Sequence, residues 1–234
     1  MTRATSADGT VGKALEVLDQ VAAFGRPVRF SELLAASAFP KATLYRFVQT
    51  LTNQGMLAFD AERQTYAPGL RLVRLAHTAW EQSSLAPVAR PMIDQLSGQL
   101  GETVHLAQLD LGHVLYVDKR NAADPIEMFS QAGRVGPAYC TGVGKAMLAY
   151  LDEAELKRVL AMQSFHRFTD KTFTTAAALR AELAAIRARG HAYDDEEHEV
   201  GIICIAMPIL TRTNRVLGAL SVTTSTNRNS LDGL

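Results

Sequence analysis

From Val11 onward the apolar positions fall at Val11, Ala14, Leu15, Leu18, Val21 and Ala22. That i, i+3, i+4, i+7 spacing lays one apolar stripe along a helix, predicted over 11–23 with Thr10 as its N-cap. The Gly25-Arg26-Pro27 run breaks the pattern, and Ser31 is placed to cap a short second helix through Leu33, Leu34 and Ala35. After a turn around Phe39-Pro40, a third helix gathers Leu44, Phe47, Val48 and Leu51 on one face. Its other face leaves Lys41, Thr43, Tyr45, Arg46, Gln49 and Thr50 to solvent. Two short strands, Met56–Phe59 and Gln64–Ala67, flank the turn Asp60-Ala61-Glu62-Arg63 and predict a small hairpin.

Beyond Pro68-Gly69, the residues Leu70, Val73, His77 and Trp80 recur at 3, 4, 3 spacing, which predicts a helix over about 69–82 whose stripe packs on a partner helix. Pro87 and Pro91 open a further helix with Met92, Leu96 and Leu100 on its buried side and Gly101 at its end. Thr103–Leu109 and Val114–Lys119 alternate around Asp110-Leu111-Gly112-His113, a hairpin signal. Helices are predicted at about 142–151, 152–162 and 175–189, the last closed by Gly190, followed by strands His191–Asp195, Ile202–Leu210 and Val216–Thr224. Strands flanked by helices, with hairpins at both ends, predict an α+β fold with a mostly antiparallel sheet instead of a doubly wound parallel one.

Composition narrows the class. The 234 residues are 47% apolar and 21% charged, ordinary for a globular chain of one large or two modest domains. No apolar run approaches the ~18 residues of a membrane span, and the first ten residues carry no apolar leader, so a cytoplasmic location is expected. The formal charge is zero, yet residues 1–75 carry nine Lys+Arg against six Asp+Glu and residues 76–234 carry fifteen against eighteen. A basic front module joined to a mildly acidic remainder has the sign expected of a nucleic-acid grip attached to something that need not touch phosphate. Cys140 and Cys204 lie too far apart in sequence for a metal-spaced pair, so no disulfide framework and no zinc site are expected.

The order of the front elements, three helices followed by a hairpin, is that of a winged helix-turn-helix, with the third helix able to enter a major groove and Arg63 at the wing tip able to reach a phosphate. Farther on, Thr141-Gly142-Val143-Gly144-Lys145-Ala146 looks like a phosphate loop but lacks a glycine at Tyr139 and a hydroxyl at Ala146. It is read instead as a helix start whose free N–H groups hold one carboxylate. The run from Asp194 to Glu199 packs five carboxylates and His198 into six residues without metal-ligand spacing, and reads as a solvated connection between strands. Cys204 as a nucleophile with His198 as its base would make a hydrolase, but Cys204 sits within the apolar Ile202–Ile205, where cysteine is a small buried hydrophobe. No enzyme activity, cofactor or metal is expected. A rival reading makes the second half a pure oligomerisation module without a metabolite.

Five blocks in order carry a family resemblance: Phe39-Pro40-Lys41-Ala42-Thr43-Leu44-Tyr45-Arg46, Gly101-Glu102-Thr103-Val104, the Thr141–Ala149 stretch, Asp194–Gly201, and Ala219-Leu220-Ser221-Val222-Thr223. Over about residues 10–225 the chain resembles the IclR family of bacterial transcriptional regulators. The resemblance implies a winged helix-turn-helix DNA-binding domain (1–68), a linker helix (69–82) and a GAF-like effector-binding domain (83–234). It implies a dimer or dimer of dimers on double-stranded operator DNA, and an effector drawn from small organic acids or aromatic and sugar-acid catabolites. Ligand contacts would come from Gly142, Val143, Asp194, Ile202, Cys204, Ser221 and Thr223; DNA contacts would come from Lys41, Ala42, Thr43, Tyr45, Arg46 and Arg63. The ligand would favour one arrangement of the effector domain, and the linker helix would pass that bias to the spacing of two recognition helices. Thr223 and Ala42 both stand where the family often has serine, and the sequence stops at Leu234, where the family's closing helix would begin.

Overall fold

The computed structural model describes residues 9–83 and 85–234, and the chain divides into two compact units, 1–82 and 83–234. Residues 1–8, most of the stretch in which the sequence shows no apolar leader, lie outside the described residues.

In the first unit α1 (Gly9–Ala23), α2 (Phe30–Ala36) and α3 (Lys41–Asn53) pack around a three-stranded antiparallel sheet of β1 (Val28–Arg29), β2 (Leu57–Asp60) and β3 (Thr65–Pro68), in the order β1-β3-β2. Val17, Leu18 and Val21 of α1 meet Leu44, Phe47, Val48 and Leu51 of α3, and Leu33, Leu57 and Tyr66 close the core. Full burial of each such side chain contributes about 1.5–3 kcal/mol, enough for seven helical positions to fix the face that α3 turns outward. Three local expectations need correction. Thr10 lies inside α1 instead of capping it, and Ser31 lies inside α2. The start of α2 is held by Glu32, whose Oε2 accepts the backbone N–H of Arg29 at 2.9 Å. β1 was absent from the pattern because two residues after Pro27 have no period of their own; pairing with Tyr66 and Thr65 creates the strand. α4 (Leu70–Ser83) follows, with Leu70 and Val73 of its stripe exposed.

The second unit is built on one antiparallel six-stranded sheet in the order β6-β5-β4-β9-β8-β7. Its strands are β4 (Thr103–Asp110), β5 (His113–Arg120), β6 (Val135–Gly136), β7 (Ala192–Asp195), β8 (Ile202–Leu210) and β9 (Val216–Ser225). α5 (Ala86–Leu100) packs on β4 and β5, burying Ala86 and Ile93; the expected buried residues Met92 and Leu100 are exposed. The prolines set the error, because reading the stripe from Pro91 rotates it by one residue. α6 (Gly142–Leu148), α7 (Glu153–Met162) and α8 (Ala176–Arg189) contribute Met147, Leu148, Val159, Leu179 and Ile186 to a core with Ala107, Ala206 and Ala219 of the sheet. α6 stops three residues short of its expected end. A register shift between Leu106 and Ala107 flips the alternation of β4 against β5. As a result Asp118 pairs with Arg90 of α5 at 3.3 Å, while Lys119 donates to the carbonyl of Ser130 at 2.8 Å.

Candidate functional site

Two surfaces gather the residues singled out by sequence, one in each unit. On α3, Lys41, Ala42, Tyr45 and Arg46 are exposed and Thr43 is half-buried. Tyr45 is steadied by an edge contact with Phe30 at 5.8 Å, and the Arg46 guanidinium lies 5.7 Å from the Phe47 ring. Arg63 projects from the β2–β3 turn, which Asp60 shapes by accepting the backbone N–H groups of Glu62 and Arg63 at 2.9 and 3.0 Å. The result is a cationic, hydroxyl-bearing helix face beside a cationic hairpin tip.

In the second unit a cavity of about 40 Å³ opens between the sheet and the start of α6. All seven ligand positions expected from sequence line it: Gly142 and Val143 from α6, Asp194 from β7, Ile202 and Cys204 from β8, Ser221 and Thr223 from β9. Gly142 is required there by close approach. A Cβ at that position would stand 2.4 Å from Cys204 Sγ, and one at Gly144 would stand 2.3 Å from the carbonyl oxygen of Ala138. Gly142 lets α6 settle onto β8 and Gly144 lets the chain before α6 fold back against it, with every residue of the helix buried.

The acidic run is not the solvated connection expected. Asp194 and Glu197 are buried, and Glu197 forms an ion pair with Lys145, itself 1% exposed. Lys145 is therefore spoken for and cannot serve a phosphate, which completes the case against a phosphate loop. Glu197 also donates its backbone N–H to Asp194 Oδ1 at 2.9 Å, so the ion pair fixes the chain that carries Asp194. Asp195 and Glu196 are half-buried and share Lys171 at 2.8 and 3.0 Å. The alternation of β7 carries the reason: Ala192 and Asp194 point inward while Tyr193 and Asp195 do not.

Sequence reasoning missed the other half of the lining, which includes His105, Tyr116, Ser130, His198 and Glu199. The strand period of β4, with Thr103, His105 and Ala107 on one face, offered a signal for His105. Ser130 lies in the irregular stretch 121–134, which has no period to read. Glu199 accepts the backbone N–H of Phe129 at 3.1 Å and so ties that stretch to the turn after β7.

Electrostatically the cavity is unusual. Among the described residues no lysine or arginine lines it, while Asp194 and Glu199 do. Burial, reinforced by the charge of Glu197, pushes the Asp194 carboxyl up to about 7. Burial also raises Glu199, but hydrogen bonds from His198 and Phe129 outweigh it and hold that carboxyl below its ordinary range. His105 is pushed down to about 3 by burial and by Lys119, so its ring is neutral. Burial drives the Cys204 thiol far above its ordinary range, consistent with a packed hydrophobe in an apolar strand.

Family models match segments of both units. The family model for the IclR helix-turn-helix domain matches residues 10–61, and that for the bacterial transcriptional regulator IclR C-terminal domain matches residues 77–233. The HTH-type transcriptional regulator KdgR of Escherichia coli is 34% identical over 96% of this chain and 86% of its own length. XynR, an HTH-type transcriptional regulator of the same species, is 31% identical over 94% of this chain and 87% of its own. The crystal structure of Thermotoga maritima IclR superposes with a TM-score of 0.72 and 28% identity, covering 96% of this chain and 90% of that one. The chain belongs to the IclR family of bacterial transcriptional regulators: it is a ligand-responsive, DNA-binding regulator.

Proposed function

We propose that this regulator of catabolic genes senses a small organic or sugar acid in the cavity at the start of α6. The observation that carries the reading is the convergence of Gly142, Val143, Asp194, Ile202, Cys204, Ser221 and Thr223, from four separate elements, on that one space. The backbone N–H groups of Gly142 and Val143 hold the carboxylate of the acid, helped by a protonated Asp194, because among the described residues no lysine or arginine lines the cavity. The hydroxyls of Ser221 and Thr223 meet its keto or hydroxyl oxygens. The small volume and the Thr223 methyl group favour compact acids.

In the same reading residues 1–68 form the DNA-binding domain, 69–82 a linker helix and 83–234 the effector domain. Lys41, Ala42, Thr43, Tyr45 and Arg46 meet the major groove, and Arg63 meets a backbone phosphate. The protein acts in the cytoplasm as a dimer or dimer of dimers on double-stranded operator DNA, and it catalyses nothing. The acid binds one arrangement of the effector domain better than the other, since equal affinity for both would shift neither population. Calorimetric titration and thermal unfolding with a panel of small acids test the site: an acid at ~100 times its dissociation constant adds ~2.7 kcal/mol of stability. A panel of oxo, hydroxy, sugar and aromatic acids in which none binds overturns the reading.

A further inference from the structure

His105 lies at the back of the cavity on β4, 2% exposed and held on both sides. Its Nε2 is 2.7 Å from Ser130 Oγ. Its Nδ1 is 3.2 Å from Thr223 Oγ1 and 3.4 Å from Ser221 Oγ. A neutral imidazole has one N–H and one bare nitrogen, so it donates on one side and accepts on the other. The hydroxyl beside Nε2 and the hydroxyls beside Nδ1 therefore cannot play the same part.

With the proton on Nδ1, Thr223 accepts from the ring and its own O–H is left to donate to a ligand in the cavity or, without one, to Ser221 Oγ at 3.4 Å. Ser130 must then give its O–H to Nε2 and shows the cavity only lone pairs. With the proton on Nε2 the parts exchange: Ser130 has the free O–H, and Thr223 gives its own to Nδ1. A keto oxygen accepts only, and next to Thr223, the nearer of the two hydroxyls at Nδ1, it is best served by the first arrangement. A ligand hydroxyl both donates and accepts, and by donating to Thr223 it is the group that can use the second.

We propose that His105 is a specificity-determining residue whose tautomer sets the hydrogen-bond polarity of the effector cavity, allowing it to admit a 2-oxo acid and the matching 2-hydroxy acid in turn. The change breaks one N–H bond at one ring nitrogen and forms one at the other, with the hydroxyl rotors turning and no net proton gained. The inference rests on the effector reading given above.

The test uses the full chain with 15N-labelled histidine and matched pairs of 2-oxo and 2-hydroxy acids, beginning with 2-oxobutyrate and 2-hydroxybutyrate and extending to longer pairs. The 15N shifts of the His105 ring are expected to report Nδ1–H with the oxo acid and Nε2–H with the hydroxy acid. Ser130→Ala removes the partner of Nε2 and favours Nδ1–H, so the ratio of affinities should move toward the oxo acid by roughly five- to tenfold. The same tautomer in both complexes, or an equal loss for both acids in the variant, overturns the proposal while the effector reading stands. Binding of no pair to the unmodified protein overturns the proposal, and failure of the wider acid panel overturns the effector reading as well.

Discussion

Placing an anionic effector against Asp194 and Glu199, where among the described residues no lysine or arginine lines the cavity, makes binding depend on the proton of Asp194. The carboxyl is buried, faces Glu197 paired with Lys145, and is poised at about 7. In its protonated form it donates to the ligand carboxylate; ionised, it repels it. If only the protonated form binds, the dissociation constant is nearly flat below the pKa and weakens roughly tenfold between about pH 6 and about pH 8. Calorimetry in buffers of different ionisation enthalpy should show uptake of a fraction of one proton per ligand above neutrality. Asp194→Asn keeps an acceptor for the backbone N–H of Glu197 and should abolish both the pH slope and the proton uptake. Stability carries the same signature. The folded pKa is raised from 3.8, so the protonated group favours the folded state below about pH 4, and that contribution is lost as pH rises through about 7. The upper bound is about 4 kcal/mol at ~1.4 kcal/mol per unit, and the asparagine variant should be the more stable protein at mildly alkaline pH. A flat dissociation constant in the native protein, or an undiminished slope in Asp194→Asn, would refute the reasoning.

Gly142→Ala places a Cβ 2.4 Å from Cys204 Sγ; thermal unfolding should register a loss of about 1–3 kcal/mol together with loss of acid binding, and Cys204→Ala in the same chain should restore part of the stability. Lys145→Met strands a buried Glu197 and should cost about 3–5 kcal/mol, whereas adding Glu197→Gln should recover most of it; equal stability of the single and double variants would deny the ion pair its role. In the DNA-binding unit, Arg46→Ala should weaken a selected duplex by about 1–3 kcal/mol and relax its sequence preference if the guanidinium grips a base edge. Arg63→Ala should weaken all duplexes alike and reduce the salt slope by about 0.9. Unchanged binding in both variants would mean that other residues meet the DNA.

The parts of the fold that follow a period were legible. The 3.6 spacing of Val17, Leu18 and Val21 and of Leu44, Phe47, Val48 and Leu51 announced α1 and α3, and alternation announced β4, β5, β8 and β9. Elements made by partners were not: β1 exists because Val28 pairs with Tyr66. The site divides the same way. Gly142 and Ser221 stood in motifs, and the resemblance led from them to one wall of the cavity. His105 and Ser130 were invisible because their importance comes from a hydrogen bond between residues far apart in sequence. Burial of Glu197 was misjudged because a charge run looks solvated until Lys145, fifty-two positions away, is seen beside it.

The central claim is that an acid in this cavity changes the grip of α3 on DNA. Fluorescence anisotropy of a duplex selected on the native protein, with and without a saturating bound acid, tests it most directly. The affinity should change by roughly 5- to 150-fold, the usual range of coupling between two sites, and Gly142→Ala should bind the duplex but ignore the acid. An acid that saturates the cavity yet leaves the DNA affinity of the native protein unchanged would contradict the account.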